Sequence, residues 1–148
     1  MASSVQGPTW RWKMDPRSLV AVILALQFAV FGWRISREIQ LEEQRRKTWL
    51  LVADYVNFLI MLGLVALCII LPLASGTFGK ASVAFLGASA VFVVFYPIIL
   101  AGHYRLFSRL GRSVYNGKKD VPYVTDQEAW LLAVSLLCSG FAAFLVAR

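Results

Sequence analysis

With 148 residues, 59% of them hydrophobic, and a mean hydropathy of +0.66, the chain is too apolar for an ordinary soluble domain, where ~45–50% apolar is typical. A formal charge of +7 would point to nucleic acid in a soluble protein, but here the basic residues flank apolar runs, so anionic lipid headgroups are the expected partner and nucleic acid is not. Two cysteines inside apolar runs, Cys68 and Cys138, make no disulfide scaffold, and a lone histidine, His103, makes neither a His-rich metal site nor a bis-histidine haem site; no cofactor is expected.

Residues 1–14 read as a short disordered or interfacial arm, with Trp10 and Trp12 alternating with Arg11 and Lys13. Asp15 followed by Pro16 is a helix start: an N-cap acceptor, then the residue best suited to the first helical position. The first span covers about 16–33, with Arg17 and Arg34 expected to snorkel to the headgroups. Its basic flank and apolar core imitate a signal peptide. Trp33-Arg34-Ile35 stands where a small-residue cleavage site belongs, so an uncleaved helix is expected.

Residues 34–47 are charged and contain no Pro or Gly. Their Glu, Gln, Arg and Leu favour helix, so the first helix is expected to leave the membrane as a solvated connector and turn before Trp49. The sharper alternative is a docking surface for a soluble partner.

The second span, 48–73, is apolar except near its start, where Asp54 and Asn57 lie one turn apart on one face. It is expected to end at Pro72. Residues 74–80 hold two glycines and one charge, a connection short enough to join two neighbouring helices as a hairpin. The third span, 81–103, contains Pro97, which predicts a kink.

Residues 104–125 form a basic loop. Arg105, Arg109 and Arg112 share one helical face, Asn116-Gly117 is a turn signal, and Pro122 forbids helix just before it. Thr125 and Glu128 have the spacing of a capping box opening the fourth span, 126–147. Along that span Ser135, Ser139, Ala143 and Ala147 repeat every four residues, with Gly140 beside them. Ala84 and Ala88 make a shorter version in the third. Small residues at this spacing let helices approach closely.

The expected fold is therefore all-α, a single membrane domain: an antiparallel four-helix transmembrane bundle. No internal repeat supports an inverted-repeat transporter. The two connectors hold ten of the 15 Lys and Arg, which predicts that they are cytoplasmic and that both termini lie outside.

Measured inward from that boundary, Gln27, Asp54 and Ser135 each lie about 10 Å deep, with Tyr96 about 13 Å deep and Asn57 slightly deeper than Asp54. These five make an intramembrane polar layer with one contribution or more from every helix. A carboxylate at membrane depth costs roughly 2.5–3.5 kcal/mol on insertion scales, so Asp54 should face the bundle and have a partner, with Arg46, Lys47 and Arg105 the candidates. His103 stands at the mouth of the layer as a candidate relay. Arg45, Arg46, Lys47, Arg105, Arg109 and Arg112 are the expected anionic-headgroup contacts.

No Cys-His, Ser-His-Asp, HExxH, P-loop or dinucleotide signature is present. The function expected is a non-enzymatic subunit or scaffold of a membrane assembly, with other copies or other membrane chains as partners. The first alternative is a small transporter or channel component working through Asp54 and Asn57. The second is a lipid-modifying enzyme holding a phosphate headgroup on the Arg105, Arg109 and Arg112 face, with Asp54 and His103 acting on it.

Overall fold

The computed structural model describes residues 15–43, 50–104, 107 and 124–148. Within them the chain is all-helical, and four helical stretches, Pro16–Gln40, Val52–Ser75, Lys80–His103 and Asp126–Ala147, are long and apolar enough to cross a membrane.

Helix α1 spans Pro16–Glu43. Asp15 starts it as the sequence predicts, its Oδ1 accepting from the Arg17 backbone N–H at 3.2 Å. Val20, Ile23, Gln27 and Arg34 are buried, and Val30 is half-buried. The steps of three and four place all five on one face. Arg34 departs from the snorkelling expectation. Its side chain is only 2% exposed and is turned into the protein.

The next helical rod has three parts: α2 (Val52–Gly63), a π-helical turn (Leu64–Ile70) and α3 (Leu71–Ser75). The sequence places a helix end at Pro72, yet the rod continues through it to Ser75 and stops at Gly76, which takes the left-handed conformation at φ +71°. The wider turn explains the continuity. The Leu71 N–H reaches back five residues to the Ala66 carbonyl. In that register Pro72 would serve the Leu67 carbonyl, and it has no N–H to give. The Ser82 hydroxyl supplies the missing donor to the Leu67 carbonyl, at 2.6 Å. The Cys68 thiol donates in return to the Ser82 carbonyl, at 3.3 Å.

Ser82→Ala should therefore leave a carbonyl unsatisfied inside the protein. The expected loss is about 1–3 kcal/mol, read as a lower unfolding midpoint in detergent. A variant as stable as the parent would mean that the π-helical turn satisfies itself.

Helix α4 (Lys80–His103) runs past Pro97 for six more residues. It is the centre of the molecule, touching α1, α2, the π-helical turn and α5 (Asp126–Ala147). Two buried clusters line it. One joins Val20, Ile23, Leu64, Cys68 and Leu86; the other joins Leu51, Ala53, Phe92, Tyr96, Ile99 and Leu100.

Helix α5 lies against α4, and glycines set the spacing. A β-carbon at Gly87 would come 3.3 Å from Val146, and one at Gly102 would come 2.5 Å from Leu131 and 3.3 Å from the Gln127 backbone. On α5 itself Ser135 and Ser139 are buried, and Ala143 and Ala147 are half-buried. Gly140 is exposed with open space around it, so it stands apart from the surface that meets α4. Ala84 and Ala88 on α4 are half-buried.

Candidate functional site

Asp54 sits in the first turn of α2, because that helix begins at Val52 rather than at residue 48. A carboxylate there meets the positive end of the helix dipole and the unpaired N–H groups of the first turn. Its Oδ2 accepts from the Leu51 N–H at 2.8 Å. Its Oδ1 accepts from the Tyr96 hydroxyl of α4 at 2.6 Å. Arg34 of α1 places Nε 3.7 Å from Oδ2, and its guanidinium also pairs with Glu38 one turn further along α1. Asp54 is 1% exposed and Tyr96 is fully buried. One ionic chain, Glu38–Arg34–Asp54–Tyr96, thus ties α1, α2 and α4 together.

This arrangement gathers only part of the expected polar layer. Asp54 and Tyr96 meet directly. Gln27 and Asn57 are fully buried but outside the chain of bonds. Asn57 donates weakly to the Met61 sulfur at 3.6 Å, while its Oδ1 and both polar atoms of the Gln27 amide have no hydrogen-bond partner. Ser135 does not join the layer through its hydroxyl, which donates to the Leu132 carbonyl of its own helix at 2.8 Å.

Among the described residues the cation beside Asp54 is Arg34, a residue that the sequence alone places at the headgroups. A signal for it was present. Gln27 and Arg34 are seven residues apart on the face that also carries Val20 and Ile23, so an inward Gln27 implies an inward Arg34. Arg45, Arg46, Lys47, Arg105, Arg109 and Arg112 lie outside the described residues.

A second polar cluster joins α4 to α5. His103 Nδ1 lies 2.7 Å from Glu128 Oε2, so the histidine engages Glu128 rather than Asp54. Thr125 caps α5 by accepting from the Glu128 N–H at 3.1 Å, and its hydroxyl donates to the Gly102 carbonyl at 3.0 Å. Half of the capping box is therefore formed. The other half is missing because the Glu128 carboxylate, fully buried, turns to His103 instead of its own helix start. Beside this cluster the Arg37 guanidinium lies 4.7 Å from the Tyr104 ring centre and 5.8 Å from that of Trp33, and Tyr104 stands edge-on to His103.

The chemistry open to these groups is mutual neutralisation. Each buried carboxylate faces a cation, a histidine or a hydroxyl from another helix, which is what ionisable groups need in an apolar surround. No family model, curated protein or solved structure matches the chain.

Proposed function

We propose that the chain is a multi-pass integral membrane protein, an antiparallel four-helix bundle that serves as a non-enzymatic subunit or scaffold of a membrane assembly. The observation that carries this is the closure of the Asp54 carboxylate by Leu51 at the start of its own helix, by Tyr96 of α4 and by Arg34 of α1. A carboxylate so engaged holds helices in register; it is poorly placed to bind and release a solute. Helix α5 adds support. Away from α4 it exposes Trp130, Leu137, Phe141 and Phe144, an apolar face open to another membrane chain. In this orientation the two connectors face the cytoplasm and both termini face outward, by the distribution of basic residues.

A second function, a small transporter or channel component, is favoured by one observation: the unpartnered Gln27 amide and Asn57 oxygen. Buried amides nearly always find partners, so these atoms are where a polar solute or water would bind.

Asp54→Asn separates the two. In a scaffold the loss of a charge-assisted bond should cost about 1.5–3 kcal/mol of stability and reduce assembly. In a transporter it should abolish flux across proteoliposomes while the unfolding midpoint holds. Retained stability together with lost flux would overturn the scaffold function.

A further inference from the structure

At the end of the molecule away from His103, α1 and the π-helical turn with α3 part to leave a groove of about 520 Å³. That is within the ~300–1,000 Å³ typical of small-molecule sites. Ala21 and Ala25 keep its α1 side low, while Ile69 and Leu73 form the opposite wall and Phe28 lies at its deep end. Arg17 is, among the described residues, the one charged residue in the lining. Among the described residues no carboxylate pairs with its guanidinium.

We infer that this groove holds one acyl chain of an anionic glycerophospholipid, with the lipid phosphate on Arg17. The inference rests on the membrane placement proposed above and not on the scaffold role. Three observations carry it. The first is length. Arg17 and Phe28 are eleven residues apart, about 16 Å along the helix, and one leaflet is half of a ~30 Å hydrocarbon core. The groove thus starts at a headgroup position and is about as long as one leaflet is thick, the length of a single chain.

The second is charge. Arg17 lies in the first turn of α1, where a cation faces the positive end of the helix dipole. Asp15 already caps this end, its Oδ1 accepting from the Arg17 N–H, so a phosphate at the mouth would be held by the guanidinium.

The third is shape. The π-helical turn and Pro72 form the side of the groove opposite the alanines, so the wall is built from the one irregular part of the rod. π-Helical turns recur at binding sites. The Ser82 bond to Leu67 and the Cys68 bond to Ser82 fix that wall from behind.

The test uses the full chain in phosphatidylcholine vesicles containing a minor fraction of phosphatidylglycerol with a photoactivatable acyl chain. Peptide mapping after illumination should find label concentrated on Ala25, Ile69 and Leu73 relative to Leu59 and Leu62, which are exposed on the same rod. Arg17→Gln should weaken retention of phosphatidylglycerol about fivefold, the worth of one basic residue at an anionic headgroup. High salt should reduce the preference in the parent alone. Ala25→Phe fills the groove from an exposed position, so it should fold and lose the label on Ile69. Uniform label over all exposed faces would overturn the inference, as would unchanged retention in Arg17→Gln. Cross-linking of Ala25→Cys to a second copy would overturn it in favour of a dimer. Failure of the chain to enter vesicles at all would instead refute the membrane placement.

Discussion

Arg34→Met should destabilise the protein by about 3–5 kcal/mol, the range found when one member of a buried ion pair is removed. The carboxylate of Asp54 would keep its bonds from Leu51 and Tyr96 but would sit 1% exposed without its cation. Glu38 suffers less, since its side chain is 15% exposed and can turn outward. Arg34→Lys should fall between the two. An ammonium is a point charge on a flexible stem, and it cannot span two carboxylates as a planar guanidinium does.

The double variant Arg34→Met, Asp54→Asn should recover much of the loss. The asparagine oxygen can still accept from Tyr96 or Leu51, and no buried charge remains. Unfolding of the four proteins in bicelles gives the coupling energy directly. If Arg34→Met alone is within ~0.5 kcal/mol of the parent, the pair contributes nothing and the ionic chain does not hold the helices.

The helices themselves were legible because their signal is long and redundant. Some twenty consecutive apolar residues have few ways to satisfy their backbone in lipid other than as helix. Thr125 and Asp15 marked helix starts for the same local reason, a side-chain oxygen within reach of the next turn's N–H groups.

What escaped the sequence depends on contacts between helices. Pro72 reads locally as a stop. It is tolerated because Ser82, ten residues later and on another helix, bonds the carbonyl that the proline leaves bare. Glu128 reads locally as half of a capping box, and a histidine from α4 takes the carboxylate. Arg34 reads as a boundary residue by its neighbours Trp33 and Ile35. Its inward direction follows only from the phase of the helix, set by Val20, Ile23 and Gln27. Depth alone grouped Ser135 with Asp54, but depth does not give the direction of a side chain about the helix axis.

Gly102→Leu should release α5 from α4, and it is expected to be the most damaging substitution on that seam. The site is buried, and a β-carbon there already meets Leu131 at 2.5 Å and the backbone of Gln127 at 3.3 Å. A side-chain tip can move aside, but the first turn of α5 cannot yield without shifting the helix. Overpacking of this kind typically costs 1–3 kcal/mol. Here the displacement also breaks two bonds at the same point, from Thr125 to the Gly102 carbonyl and between His103 and Glu128. The fully buried Glu128 would then lose its partner. Among the described residues α5 lies principally against α4, so little else there retains it. Gly140→Leu is the matched control on the outer side of α5, where no described residue lies within 4 Å of the added β-carbon. It should change stability by less than ~0.5 kcal/mol. A disulfide between cysteines placed at Gly87 and Val146 reports the seam, forming readily in the Gly140→Leu background and failing in the Gly102→Leu background. If the cross-link forms equally in both, α5 is held by something other than close packing at its glycine contacts.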